Sequence, residues 1–385
     1  MGFTMKWSLR CHRWGHGVLS PHVEREARPD EIRAVLARVP FLKDVRLEDV
    51  GLERLSGALT NVSYKVTTEA GAYVLRLAGE GTSDYVDRTA EGHNARVAAS
   101  AGVNAEVLYF DAREGTMLTR FVEGVGMEGV ALSSDPWAIS RAALALRLVH
   151  GTGRVFKSRF DAFAMIDGYV DILHRLQIPL PEDYYEVGRG AEAVRRALEA
   201  SPVSLAPCHN DPWPGNLLYT GNGIYIIDWE YSGMNDPMWD LGDLSVEAGF
   251  GPEQDQAMME TYYGGPPPAA LYSRLALYKT MSDLHWSLWA MVQHANGNPA
   301  EDFRTYATMR LERCKTRMGS ADFGRYLAAV GTAVASARPR TFSSRPAYRS
   351  DSEHRAPLHR APGSGQRRHA SPLFLPPAAA STSAP

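Results

Sequence analysis

The sequence predicts an α+β protein with two lobes, a small antiparallel sheet with one helix followed by a larger, mainly helical lobe. First, from about Asp49 to Phe121 apolar and polar residues alternate in short runs separated by tight turns, which is typical of strands. Second, helical patterns dominate from Asp135 to Ala335. Third, one strand pair interrupts the helical half. We therefore place the small lobe at 28–121 and the large lobe at 122–336.

The small lobe begins with a predicted hairpin. Val62–Val66 and Tyr73–Leu77 alternate with period two on either side of a Glu-Ala-Gly turn. A helical stretch follows at Glu91–Ala101. Two further strands, Glu106–Phe110 and Met117–Phe121, complete the predicted sheet.

The large lobe has a clear helix start and an internal hairpin. Asp135 followed by Pro136 is a capping acid before a proline at the first helical position. Asn216–Tyr219 and Gly223–Asp228 read as strands joined by the turn Thr220–Asn222.

The two ends differ from the middle of the chain. Residues 1–27 are expected to be a poorly ordered extension without the apolar core of a secretion signal. Residues 337–385 contain eight arginines against two acidic residues and are rich in Pro, Ser and Ala. Such a composition predicts disorder, because little apolar surface can be buried. A docking arm for an acidic partner is the alternative.

Composition narrows the classes of function. A formal net charge of −3 gives no overall basic field for nucleic acid. No apolar run approaches the roughly 20 residues that cross a bilayer. Three widely spaced cysteines indicate free thiols in a reducing compartment, and we expect a cytoplasmic protein. A homodimer is left open.

The segment His209–Asn216 and the Asp that ends the following hairpin carry the predicted chemistry. Phosphoryl transfer from ATP needs a carboxylate to orient and deprotonate the acceptor hydroxyl, and oxygen ligands to hold Mg²⁺ against the phosphates. We assign Asp211 as the base and Asn216 and Asp228 as metal ligands, while His209 is expected to hold the shape of the loop. The alternative is that these are ordinary turn residues.

The pattern of His209, Asp211, Asn216 and the run Ile-Asp-Trp-Glu-Tyr at 227–231 resembles the choline/ethanolamine kinase family, within the aminoglycoside-phosphotransferase-like kinases of protein-kinase-like fold. The resemblance extends from roughly Leu52 to Ala335. It implies the same roles for Asp211, Asn216 and Asp228 as the chemistry does.

On the nucleotide side, the resemblance implies a phosphate-covering loop containing Gly57, Thr60 and Asn61, although Ala58 stands where a second glycine is usual. Alone, one glycine between strands is more typical of an ordinary turn. Arg76 is the expected basic residue against the phosphates, and Glu91 is the acid expected to pair with it. Phe121 and Val122 are the expected hinge residues whose backbone reads adenine. An exposed strand residue and an exposed helix acid are the alternatives for the first two.

The resemblance also implies an amino-alcohol pocket. Aromatic faces with a nearby carboxylate recognise a quaternary ammonium group. Trp286 and Trp289 project from one face of a predicted helix, although such a pair is often core. The implied acceptor-binding residues are Asp211, Tyr231, Glu247, Trp286, Trp289 and Tyr306. An aromatic residue expected shortly after the acid stays unassigned.

Three functions remain in competition. The first is an ATP- and Mg²⁺-dependent kinase acting on a small amino alcohol, choline or ethanolamine. The second is an aminoglycoside or other small-alcohol kinase, for example for thiamine. The third is a pseudokinase that binds ligands without turnover, which the presence of Asp211, Asn216 and Asp228 disfavours.

Overall fold

The computed structural model describes residues 28–55, 61–79, 86–129, 132, 135–221 and 223–332. The extension at 1–27 and the tail at 337–385 lie outside these residues, so their predicted disorder is not tested. The division at residue 121 likewise stays a prediction. No helix among the described residues combines the length and the apolar character that a bilayer crossing requires.

A five-stranded antiparallel sheet forms the small lobe. Its strands, numbered along the chain, are β1 Gly51–Leu55, β2 Val62–Thr68, β3 Gly71–Leu77, β4 Val107–Asp111 and β5 Thr116–Arg120. Their order in the sheet is β1-β2-β3-β5-β4. Alternation along β2 and β3 buries Val66, Tyr73 and Leu75 on one face. The predicted hairpin is confirmed, with two residues added to each strand near the turn.

Two helices accompany this sheet where the sequence analysis expected one. Helix α1, Pro29–Arg38, buries Ile32, Val35 and Leu36 in a cluster with the sheet. Helix α2, Arg88–Ser100, begins at Asp87, whose carboxylate accepts a hydrogen bond from the Ala90 N–H at 3.0 Å. The inner face of α2 packs into the hydrophobic cluster of the large lobe.

The large lobe is mainly helical, as predicted. Its helices are α3 Pro136–His150, α4 Ala162–Arg175, α5 Tyr184–Ala200, α6 Pro237–Glu247, α7 Pro252–Tyr263, α8 Ala269–Ala295, α9 Phe303–Met318 and α10 Phe323–Thr332. Asp135 caps α3 by accepting a hydrogen bond from the Trp137 N–H at 2.9 Å, which confirms that helix start. Helix α8 is buried nearly all round, because α4, α6, α9 and α10 pack against it.

Five short strands form two small sheets that hold the loops between α5 and α6 in place. Ala206–Cys208 (β7) pairs antiparallel with Gly233–Asn235 (β10). Leu217–Tyr219 (β8) pairs with Ile224–Ile226 (β9), which confirms the predicted internal hairpin in a shorter form. Strand β6, Val125–Gly126, joins the edge of β8. The loop after β7, with Asp211, and the segment after β9, with Asp228, therefore both leave these small sheets in one region.

Candidate active site

The loop from His209 to Asn216 leaves β7 with a fixed shape. His209 is fully buried, and its Nε2–H donates to the Ile227 carbonyl at 2.8 Å. Its Nδ1 accepts from the Asp211 N–H at 3.3 Å. Burial lowers the pKa of His209, so the neutral ring that makes both bonds is favoured. The imidazole therefore holds the loop, as the sequence analysis expected.

Asp240 on α6 anchors the same loop, and the sequence analysis did not identify it. Its two carboxylate oxygens accept from the backbone N–H groups of His209 and Asn210, each at 2.8 Å. His150 Nε2 lies 2.9 Å from one of these oxygens. A buried carboxylate that accepts several hydrogen bonds fixes the donors around it. The signal available in the sequence was a helix with acids at positions 240, 243 and 247, which share one face.

Asp211, Asn216 and Asp228 meet at one side of this loop. The Asn216 side-chain amide donates to the Asp211 carbonyl at 3.0 Å and lies 3.4 Å from the Asp211 carboxylate. The Asn216 carbonyl accepts from the Ile227 N–H at 2.9 Å, one residue before Asp228. Burial first, then the carboxylates of Asp243 and Asp228, raise the pKa of Asp211 well above its ordinary value. Hydrogen bonds and charge thus connect the three predicted residues, and their roles as base and metal ligands stay predictions.

The acids around Asp228 fit a divalent cation. Oxygen atoms of Glu91, Asp228 and Glu230 lie within 4.8 Å of one another. Two arginines, Arg76 and Arg88, face these three carboxylates, so one negative charge is left in excess. The Asp228 side chain is 33% exposed, whereas those of Glu91 and Glu230 are 0% and 5% exposed. Asp228 is therefore the most accessible of the three acids, and a carboxylate oxygen is a ligand that suits Mg²⁺.

Arg76 and Glu91 form the ion pair that the sequence analysis anticipated. The Arg76 guanidinium contacts the Glu91 carboxylate and lies 3.4 Å from that of Asp228. Arg88, which sequence reasoning missed, lies 2.7 Å from Glu91 and 2.5 Å from Glu230. Arg88 therefore connects α2 of the small lobe to the segment after β9. Both arginines point their charge at the edge of the predicted metal site.

The other predicted nucleotide residues are only partly within the described chain. Gly57 and Thr60 lie outside it. The buried Asn61 side chain accepts from the Gly79 N–H at 3.4 Å. Phe121 N–H donates to the Ala72 carbonyl at 3.0 Å, which ties the start of the interlobe segment, followed by Val122, to β3. Adenine recognition at this segment stays a prediction.

The predicted aromatic residues lie against one another. Tyr231 and Trp286 meet edge to face with ring centres 5.6 Å apart and an interplanar angle of 88°. Trp286 and Trp289 do the same at 5.6 Å and 86°. The Asn210 side-chain amide donates to the Tyr231 carbonyl at 2.9 Å. The aromatic cluster is thereby bonded directly to the residue that precedes Asp211.

Glu247 and Tyr306 are brought together by Arg310, a residue absent from the predicted site. The Arg310 guanidinium pairs with the Glu247 carboxylate and donates to the Tyr306 hydroxyl at 2.5 Å. It also lies 3.1 Å from Asp283. Burial raises the pKa of Tyr306, so the phenol stays protonated. Arg310 follows Tyr306 by four residues, so both lie on one face of α9.

Asp243 is the second acid that sequence reasoning missed. One carboxylate oxygen accepts from the Trp286 indole N–H at 2.8 Å and from the Ser282 hydroxyl at 2.5 Å. The residue is fully buried. Burial and the Glu247 carboxylate raise the pKa of Asp243 to about 8. Its carboxyl group is close enough to Asp211 to contribute to the raised pKa of that residue.

A small antiparallel sheet joined to a mainly helical lobe is the architecture of kinase-type phosphotransferases. Residues 51–278 match the model of the phosphotransferase enzyme family, APH. A crystal structure of a choline/ethanolamine kinase family protein from Mesorhizobium loti is 45% identical, with 79% of this chain and 99% of that chain covered and a TM-score of 0.70. The chain therefore belongs to the APH phosphotransferases and, within them, to the choline/ethanolamine kinase family.

Two further relatives agree with this placement. The crystal structure of the choline kinase LicA from Streptococcus pneumoniae is 25% identical, covers 75% of this chain and 98% of its own, and has a TM-score of 0.61. The protein LicA of Haemophilus influenzae is 28% identical over 262 residues, which are 66% of this chain and 76% of the relative. The predicted fold class is confirmed.

Proposed function

We propose that this protein is an ATP- and Mg²⁺-dependent kinase that transfers the γ-phosphoryl group to the hydroxyl of choline or ethanolamine and releases ADP. The observation that supports this most directly is the hydrogen bond from the Asn210 amide to the Tyr231 carbonyl. It ties the loop bearing Asp211 to the aromatic cluster of Tyr231, Trp286 and Trp289. A cationic acceptor bound there would have its hydroxyl near the predicted base.

Asp211 serves as the base in this proposal. Its raised pKa favours proton uptake from the acceptor hydroxyl as the phosphoryl group is transferred. The Asn216 amide holds the Asp211 backbone and carboxylate, which orients the base toward the cleft. A positioned carboxylate contributes by orienting the hydroxyl as much as by accepting its proton.

Asn216 and Asp228 would hold Mg²⁺ together with the phosphate oxygens of ATP. The ion would supply positive charge against the developing negative charge on the phosphates. The Asn216 amide donates to Asp211 through nitrogen, which leaves its carbonyl oxygen for a cation. Asp228 is the most exposed of the three carboxylates, so it is the one that a metal ion could reach.

The small lobe would hold the nucleotide. Arg76, which Glu91 holds in place, is the cation for the phosphates. A guanidinium group already held by a buried acid loses little conformational freedom when it binds a phosphate. Loop residues Gly57, Thr60 and Asn61 would cover the phosphates, and the backbone of Phe121 and Val122 would receive the adenine.

The acceptor pocket consists of Tyr231, Trp286, Trp289, Tyr306 and the acid Glu247. Aromatic faces attract a cation by about 0.5–2 kcal/mol each and suit an ammonium group that offers few or no hydrogen bonds. An aminoglycoside, which carries several positive charges, would need several free carboxylates. Glu247 is neutralised by Arg310, so the pocket favours the smaller singly charged acceptor.

A coupled assay of ADP release tests the proposal. Choline, ethanolamine, thiamine and an aminoglycoside are compared at equal enzyme concentration with saturating ATP and Mg²⁺. We expect the highest kcat/KM with choline or ethanolamine. A higher value with the aminoglycoside or with thiamine would replace the proposed acceptor, and no turnover with any alcohol would favour a ligand-binding pseudokinase.

A further inference from the structure

Two acids of helix α6 border the proposed acceptor pocket, and only one of them is neutralised. Asp243 and Glu247 are four residues apart and therefore lie one above the other on the same face. The Glu247 carboxylate pairs with Arg310, whose side chain is 2% exposed. The same guanidinium bonds the Tyr306 hydroxyl. Glu247 is thus one half of a buried ion pair within the pocket wall.

Asp243 has no ion-pair partner among the described residues, and Arg310 acts on it only as a more distant charge. Among the described residues, no lysine, arginine or histidine forms an ion pair with it, and its second carboxylate oxygen is buried without a hydrogen-bond partner. The first oxygen accepts from Trp286 and Ser282. An unpaired oxygen of a buried acid is costly, and the cost falls when a positive charge arrives nearby. Asp243 is therefore placed to respond to a cation in the pocket.

The contact between Asp243 and Trp286 connects the Asp243 charge to a cation bound in the pocket. Asp243 is fully buried and accepts a hydrogen bond from the indole, so it can act on an acceptor through Trp286. The indole N–H donates to the carboxylate at 2.8 Å, which fixes the ring edge against Tyr231 and Trp289. A carboxylate on the N–H also adds electron density to the ring, and a cation binds the ring face through that density.

We propose that Asp243, acting through Trp286, is the positioning residue that makes the pocket select a positively charged acceptor, whereas Glu247 holds Arg310 and Tyr306 in place. This inference rests on the proposed function. It assigns the negative charge opposite the acceptor nitrogen to an acid that the resemblance to known kinases did not indicate. The acceptor class is an alcohol with a permanent or protonated ammonium group two carbons away.

The test compares a cation with its neutral carbon isostere. Choline and 3,3-dimethylbutan-1-ol are titrated by calorimetry into the full-length wild-type protein, Asp243→Asn and the control variant Glu199→Gln, which removes an exposed acid near the end of α5. The asparagine at 243 keeps an oxygen for the Trp286 N–H and removes the charge. We expect Asp243→Asn to reduce the preference for choline over the isostere roughly tenfold, and Glu199→Gln to leave that preference near the wild-type value. ATP affinity, measured in parallel, should not change.

A second measurement needs no variant. Because binding of a cation favours the carboxylate form, wild-type choline affinity should rise between about pH 6 and pH 8, with proton release in calorimetry, while isostere affinity stays flat. The charged and titratable groups that face Asp243 are Glu247 on its own helix, Asp211 on the loop, and Arg310 and Tyr306 on α9. Asp243→Asn should lose both the pH dependence and the proton release.

An unchanged preference and an unchanged pH profile in Asp243→Asn would overturn this role, as would an equal loss of the preference in Glu199→Gln. Choline binding without phosphorylation would contradict the proposed kinase activity. If the Asp243 effects persisted in that case, they would still support the role of Asp243.

Discussion

Two residues of the candidate site adopt backbone conformations that few side chains tolerate. Asn210 has φ 71° and Asp228 has φ 64°, both in the left-handed region. Asparagine and aspartate enter this region more readily than other non-glycine residues, because their short polar side chains bond locally. These two turns therefore set the direction in which the chain presents Asp211 and Asp228. Each position therefore needs a residue that tolerates the left-handed backbone and also supplies a polar side chain.

Substitution of Trp289 distinguishes a role in acceptor binding from a role in core packing. Its ring contacts Trp286 and Phe303, it is 7% exposed, and its indole nitrogen has no hydrogen-bond partner among the described residues. We expect Trp289→Ala to raise KM for choline by roughly tenfold and KM for ATP far less. Steady-state kinetics with each substrate varied in turn measures this.

Trp289→Phe serves as the control, since it keeps an aromatic face and most of the packing. It should retain most of the affinity for choline. Lower thermal stability of Trp289→Ala with an unchanged KM for choline would assign Trp289 to the core and remove it from the pocket.

At the scale of elements, helix α6 organises the site with three acids that have different environments. Asp240 accepts two backbone hydrogen bonds from the catalytic loop and faces His150. Asp243 supports Trp286, and Glu247 at the helix end pairs with Arg310. One helix therefore connects the loop, the aromatic cluster and α9. Helix α8 packs against α6 and carries Trp286, the partner of Asp243.

Asp240→Asn and Asp243→Asn are expected to affect stability in opposite ways. In Asp240→Asn one loop N–H faces an amide donor in place of an oxygen, which should lower the free energy of unfolding by about 1–3 kcal/mol. The pKa of Asp243 is raised in the folded protein, so its ionised form opposes folding as the pH rises. Asp243→Asn should therefore leave stability at pH 8 unchanged or higher.

Urea unfolding at pH 6 and pH 8 measures both effects. Equal destabilisation of the two variants would show that α6 acids act only through general packing, in conflict with the separate roles described above.

Elements were more predictable than the pairings between them. The hairpin of β2 and β3, the start of α3 and the location of Trp286 and Trp289 on a helix follow from local periodicity and capping. Helix α1 also has readable signals, a proline at its first position and apolar residues at 32, 35 and 36, but it lay before the region that the resemblance covered.

The missed residues Arg88, Asp240, Asp243 and Arg310 share one property. Each acts through a partner distant in sequence, for example Asp243 with Trp286 and Arg310 with Glu247. Local pattern cannot indicate such pairs, because a buried charge is distinguishable from an exposed one only after the chain has folded. Asp211, Asn216 and Asp228 could be assigned from the sequence because their spacing is local to one loop and hairpin.

At the scale of the whole molecule, charge pairs join the lobes beside the cleft. Arg88 contacts Glu91 of the small lobe and Glu230 after β9, and Arg76 contacts Glu91 and Asp228. The packing of α2 into the large hydrophobic cluster adds an apolar connection. These contacts hold the two lobes at a defined separation. The proposed transfer of a phosphoryl group from a nucleotide on one lobe to an alcohol on the other requires such a separation.

Identification of the product by ³¹P NMR tests the proposed activity most directly, because it distinguishes transfer to an alcohol from hydrolysis of ATP. Wild-type protein with ATP, Mg²⁺ and choline or ethanolamine should produce the phosphomonoester resonance of the phosphorylated alcohol together with ADP. Asp211→Asn should form this product roughly 10²–10⁴-fold more slowly while still binding ATP. Release of inorganic phosphate alone, or equal product formation by Asp211→Asn, would contradict the assignment of this cleft as an alcohol kinase with Asp211 as its base.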